Sequence, residues 1–157
     1  MHRMFRTTTR RRQTSLEGIW DFIPDPDDIG LGEEWYSNFP AHSAELWVPG
    51  VWNTTRQFLN YEGPAWFRKR ITLEPCTAAV LHFAAVTHQA NVWLDGDPLG
   101  EHYGGFLPFS FLLSHPEAGT HELVVRVDNT HDMVSTVPSA NLDWFRYGGI
   151  PRPVWVD

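Results

Sequence analysis

Ala65-Trp66-Phe67-Arg68-Lys69-Arg70-Ile71-Thr72-Leu73 is the stretch that decides the fold class. Phe67, Ile71 and Leu73 fall on one side of an extended backbone, with Arg68, Arg70 and Thr72 on the other. That period of two is the mark of a half-buried strand. The neighbouring segments supply its partners. Val80 to Val86 is nearly all apolar or small, as expected of a strand covered on both faces. Ala90-Asn91-Val92-Trp93-Leu94 alternates again and runs into Asp95-Gly96, where glycine accepts the positive φ of a tight hairpin turn. Leu123, Val125 and Val127 point inward on the last clear strand, with Glu122, Arg126 and Asp128 pointing outward.

Working outward, Leu16 to Ile23 reads as a strand entered through Gly18, followed by a loop of Asp, Pro and Gly from Pro24 to Gly32. Trp35 and Tyr36 suit one short helical turn, and Leu46-Trp47-Val48 runs extended into the turn Pro49-Gly50. No window of eleven or more residues keeps a helical period. About eight to ten short strands, with turn signals every 8–12 residues or so, make an all-β, jelly-roll-like β-sandwich.

The 157 residues suit a single domain able to bury a sizeable core. Eight Trp and ten Phe are many for this length and suit a large core, a stacking platform for a ligand or a surface that another domain covers. Residues 1–13 hold Arg3, Arg6, Arg10, Arg11 and Arg12 and no acid; they read as a basic leader, expected to be disordered, before a sandwich spanning 14–157. That sandwich holds seven basic against nineteen acidic residues, a balance of −12, which repels phosphates and excludes nucleic acid as the main partner. Cys76 is the single cysteine, leaning towards a reducing, cytoplasmic setting. No apolar run is long enough for a helical membrane span.

Several chemistries lack their residues. The eight histidines are scattered without H-x-H or H-E-x-x-H spacing, so no zinc or other metal site is expected. Neither G-x-S-x-G nor a phosphate-cradling glycine loop occurs, and no cofactor is implied. Asp25, Asp27 and Asp28 share one loop of turn formers and read as Asx-turn and solvated residues. No pair of carboxylates is specified as catalytic.

Six segments in order carry a resemblance: Leu16-Glu17-Gly18-Ile19-Trp20-Asp21-Phe22; Val48-Pro49-Gly50-Val51-Trp52-Asn53; Gly63-Pro64-Ala65-Trp66-Phe67-Arg68-Lys69; Ala90 to Gly96 with Leu99-Gly100-Glu101-His102; Gly104-Gly105-Phe106-Leu107-Pro108-Phe109; and Asp143 to Val154, which includes Gly149-Ile150-Pro151-Arg152-Pro153-Val154. Together they resemble the first domain of family 2 glycoside hydrolases, the β-galactosidase and β-glucuronidase group. Asp95 stands where that family more often has Asn.

The resemblance implies a galactose-binding-domain-like jelly roll that serves a larger exo-glycosidase. An immunoglobulin-like domain and a (β/α)8 barrel with both catalytic glutamates would follow it, and it would pack against that barrel and neighbouring subunits. Retaining hydrolysis needs two carboxyl groups about 5–5.5 Å apart, so this chain alone is expected to be inactive. By resemblance Asp143 reaches towards a substrate hydroxyl beside Trp144 and Tyr147; by local chemistry alone it equally caps a turn. Arg68 either meets a uronate carboxylate or forms a strand salt bridge. Arg152 is expected to pair with a carboxylate, and Gly148-Gly149 to mark positive φ or close approach. A free-standing lectin-like carbohydrate-binding module is the rival reading.

Overall fold

The computed structural model describes residues 12–130 and 146–157. Its strands are β1 Thr14–Ser15, β2 Gly18–Pro24, β3 Ala44–Val48, β4 Gly50–Val51, β5 Pro64–Leu73, β6 Ala78–Phe83, β7 Gln89–Leu94, β8 Asp97–Tyr103, β9 Phe109–Ser114, β10 Gly119–Asp128, β11 Gly149–Ile150 and β12 Val154–Val156. A six-stranded sheet in the order β3-β2-β5-β10-β7-β8 faces a four-stranded sheet in the order β1-β12-β6-β9, and β11 pairs with β4 at one end. All the pairings are antiparallel. The expected all-β, jelly-roll-like sandwich is what forms.

The alternation along β5 is realised in three dimensions. Phe22, Phe67, Val125 and Val92 lie in one register row across β2, β5, β10 and β7, all buried against Leu81, Phe83, Leu113, Val154 and Val156 of the facing sheet. Burying such side chains yields about 1.5–3 kcal/mol each, and this layer is the main core. The hairpin at Asp95-Gly96 has both residues at positive φ, 53° and 85°, as a tight two-residue turn of that hand requires.

Two expectations change. β6 ends at Phe83 and alternates in burial instead of being covered on both faces, because Val80 and His82 point away from the core. Trp35 and Tyr36 lie in a succession of turns, not a helix.

Those turns cover the outer face of the six-stranded sheet and build a second, smaller core from Ile23, Phe39, Trp66, Trp93 and Val124. Tyr36 stacks on Trp93 at 5.3 Å, Trp93 on Trp66 at 5.3 Å, and Trp35 meets Trp66 edge-on at 6.0 Å. Asp25, expected to be solvated, is 1% exposed beneath this layer. Asp28 reaches Arg126 at 2.7 Å.

One pH effect arises at the hairpin. His121 Nδ1 lies 2.6 Å from Asp95 Oδ2, and Asp95 Oδ1 accepts the Glu122 N–H at 2.7 Å. The hydrogen bond to Asp95 raises the His121 pKa above 6.5. A raised folded-state value means the added stability is complete below the unfolded value and vanishes as pH rises through the folded one. The melting-temperature gap between wild type and His121→Gln should therefore be widest below about pH 6 and shrink as pH rises above the ordinary histidine value. A gap constant across that range would show that the pair contributes no proton-linked stability.

Candidate functional site

The end of the sandwich where residues 130 and 146 meet is where sequence and structure converge. β10 closes at Asp128, and Asn129 follows fully buried. Its Nδ2 donates to the Arg146 carbonyl at 3.0 Å while its Oδ1 accepts the Gly63 N–H at 2.9 Å. One side chain thus pins both ends of the 131–145 segment to the start of β5.

A second asparagine holds the far side. Asn53, 2% exposed, donates to the carbonyls of Leu59 and Tyr61 at 3.1 Å each and accepts the Gly148 N–H at 2.8 Å. The Gly148 carbonyl accepts the Trp52 N–H at 3.0 Å. Both polar groups of Gly148 are therefore fixed by the 3-10 turn at Trp52–Thr54. A Cβ on Gly148 would lie 1.9 Å from Trp52 Cζ2, and Gly149 has φ +139°. Close approach and positive φ, both expected of this glycine pair, occur on successive residues.

Beyond Gly149 the backbone bridges to Thr87, whose N–H donates to the Gly149 carbonyl at 2.9 Å. The His88 N–H donates to Asp128 and its carbonyl accepts from Gly104, each at 3.0 Å. The His88 ring meets Tyr103 edge-on at 4.9 Å, and its buried Nε2 has no hydrogen-bond partner among the described residues. Burial, then the Arg146 charge, lowers the His88 pKa. The neighbouring His102 Nε2 lies 3.1 Å from the Gly104 carbonyl. Around this end Tyr103, Phe106, Leu107 and Tyr147 are exposed, Phe106 by 74% and Tyr147 by 53%.

Of the expected site residues, Asp143 and Trp144 lie outside the described residues, as does the leader up to Arg11. Tyr147 stands exposed at the rim, one residue before the anchored Gly148. Arg68 is on the outer face of β5: its Nε and Nη2 each donate to Asp21 Oδ2 at 2.8 Å, Glu122 lies 3.7 Å away, and its guanidinium covers Phe39 at 4.6 Å. Asp21 is its register partner on β2, which gives the salt-bridge alternative its geometry. Arg152 is exposed and makes no ion pair among the described residues, a correction to its expected pairing, because the chain turns it outward between β11 and β12. Asn53 and Asn129 were not singled out by sequence, although Asn53 closes the Val48–Asn53 motif.

Among known proteins, a β-glucuronidase of Streptococcus agalactiae is 28% identical over 94% of this chain and 28% of its own length. That of Canis lupus familiaris is 27% identical over 95% of this chain and 29% of its own. Of solved structures, a Ruminococcus gnavus β-glucuronidase superposes with a TM-score of 0.83 at 28% identity, covering 92% of this chain and 28% of that one. A β-glucuronidase from an uncultured Clostridium sp. gives 0.88 at 27% identity, covering 99% and 30%. No family model matches the chain. The chain spans less than a third of the length of each of these relatives.

Proposed function

We propose, from the premise that this chain is a jelly-roll domain of the family 2 glycoside hydrolases and homologous to their β-glucuronidases, that it serves a retaining exo-glycosidase acting on terminal β-glucuronides. The names of its relatives favour a glucuronide over a galactoside. The observation that carries the reading is the double pin, Asn129 to Arg146 and Asn53 to Gly148. A rigid foot lets a segment present a side chain to a pocket with little loss of freedom on binding.

In this role Asp143 accepts a substrate hydroxyl, and Trp144 and Tyr147 cover the sugar's C–H face. The proton donor and the nucleophile belong to the remainder of the parent enzyme. Arg68 acts structurally, its guanidinium already held by Asp21, and the uronate carboxylate is met by groups outside this chain.

The test is Asp143→Ala in the complete enzyme carrying this domain, assayed on nitrophenyl β-glucuronide. A carboxylate whose hydrogen bond strengthens in the transition state should lower kcat/KM by about 100-fold when removed. Unchanged kcat and KM would sink the assignment, and tight sugar binding by the 157-residue chain alone, lost in Trp144→Ala, would favour a lectin-like module instead.

A further inference from the structure

We infer that a groove at the free edge of the six-stranded sheet is a second saccharide site, one that takes a neutral glycan through Trp47. β3 is the outermost strand of that sheet. Leu46 and Val48 point into the core, so Glu45 and Trp47 point out, and Trp47 is 64% exposed. An indole left this open is the least economical place for a large apolar ring unless something covers it.

The surroundings make it a site for sugar. Trp47 forms one wall of a groove of about 540 Å³ whose lining also includes Glu45, Gly50, Thr54, Thr55 and Pro151. Gly50 leaves bare backbone in the lining, since a Cβ there would lie 2.3 Å from the Trp47 carbonyl oxygen. Thr54 Oγ1 donates to the Val51 carbonyl and Thr55 Oγ1 to the Trp52 carbonyl, each at 2.8 Å. With their protons committed to the backbone, both hydroxyls keep lone pairs for an incoming O–H. An aromatic face flanked by acceptor oxygens matches a pyranose ring, whose C–H face is apolar and whose rim donates hydrogen bonds.

Charge chooses among saccharides. The lining carries Glu45 and no Lys or Arg, and Asp21 is Glu45's register partner on β2. A uronate would meet Glu45 with no basic side chain in the lining to offset it, whereas a neutral ring can donate its hydroxyls to Glu45. The groove adjoins β4, which pairs with β11 directly after the pinned Gly148. It therefore lies on the same rigid frame as the rim, but its ligand chemistry is the opposite of a glucuronide's.

The experiment follows the eight tryptophan indole N–H signals of the ¹⁵N-labelled 157-residue chain during titration with cellotetraose, and separately with tetragalacturonate. The Trp47 signal, identified by its loss in Trp47→Phe, should move saturably with cellotetraose at a Kd of about 1 mM and stay still with the uronate. Followed by the backbone amide signals of Gly50, Thr54 and Thr55, which line the groove, Trp47→Ala should weaken binding about tenfold or more and Glu45→Gln about threefold, the other indole signals keeping their positions. Because these side chains point outward, the variants should fold. A Trp47 signal that ignores 20 mM cellotetraose overturns the inference, as does an equal response to the uronate. A shift that follows protein concentration instead of sugar also overturns it, revealing strand-edge pairing between copies. None of these readouts depends on Asp143.

Discussion

Gly148→Ala should cost about 4 kcal/mol of unfolding free energy and is expected to be among the most damaging single-methyl additions in the described residues. The new Cβ would lie 1.9, 2.3 and 2.4 Å from three atoms of the Trp52 ring, where real contacts need well over 3 Å. Trp52 is fully buried, its Nε1 donates to the Tyr61 carbonyl at 3.0 Å, and Phe22, Phe67 and Tyr61 pack around it with ring centroids 5.8–6.3 Å away. The backbone has no freedom to retreat either, with its N–H on Asn53 and its carbonyl on Trp52. Overpacking of this kind costs about 1–3 kcal/mol, and relieving it by moving the backbone orphans buried hydrogen bonds worth about 1–3 kcal/mol more. Urea unfolding gives the number. Gly119→Ala supplies the comparison: at φ +143° and with nothing within 4 Å of a Cβ, it carries backbone strain alone, about 2 kcal/mol. Trp52→Phe in the Gly148→Ala background should recover part of the loss, a coupling that a double-mutant cycle measures. Equal losses for the two glycines, or no coupling to Trp52, would mean that the ring does not enforce glycine here.

Gly148 also marks how far the sequence could be read. The alternation in β5 and β10, the Asp95-Gly96 turn and the special backbone of Gly148-Gly149 were legible because each is a local property: a period of two, a turn's φ, a missing Cβ. What stayed hidden was which loop covers which face. Arg68, Arg126 and Trp66 share the outer face of the six-stranded sheet, and period two says only that they point away from Phe67 and Val125. That the turns after Asp25 would fold back and bury Trp66 depends on long-range packing, for which an Asp- and Pro-rich loop carries no periodic signal. The same gap hid Asn53 and Asn129. A buried amide that satisfies backbone groups from two distant segments looks, in sequence, like any other turn-forming asparagine. For the candidate site, the sequence named the motif that holds Tyr147 but not the side chains that pin it.

Asp25→Ala should destabilise the domain by about 4 kcal/mol through that second core while leaving the pinned rim in place. Asp25 Oδ1 accepts the Ile29 N–H at 2.9 Å; its Oδ2 accepts both the Gly30 N–H and the Trp66 indole N–H, each at 2.9 Å. The methyl of alanine satisfies none of the three donors, and two of the three bonds, those from Gly30 and Trp66, are buried. Each orphaned donor costs about 1–3 kcal/mol. Water is a poor substitute, because the stacked rings of Trp66, Trp93 and Tyr36 close the site. Tyr61 does not take over: its phenol already donates to the Pro64 carbonyl, and burial pushes its pKa up to about 12, so it keeps that proton. Asp25→Asn separates shape from chemistry. It preserves volume, but with one acceptor oxygen it turns an N–H towards at least one donor, so it should recover less than half of the loss. The readouts are the urea midpoint and the near-ultraviolet dichroism of the indole stack, which should both collapse in Asp25→Ala. In the complete enzyme, at temperatures where the variant remains folded, kcat should hold, because Asn53 and Asn129 are untouched. A loss below about 1 kcal/mol would mean that water reaches Trp66, and that the outer layer is a loose cover rather than a second core.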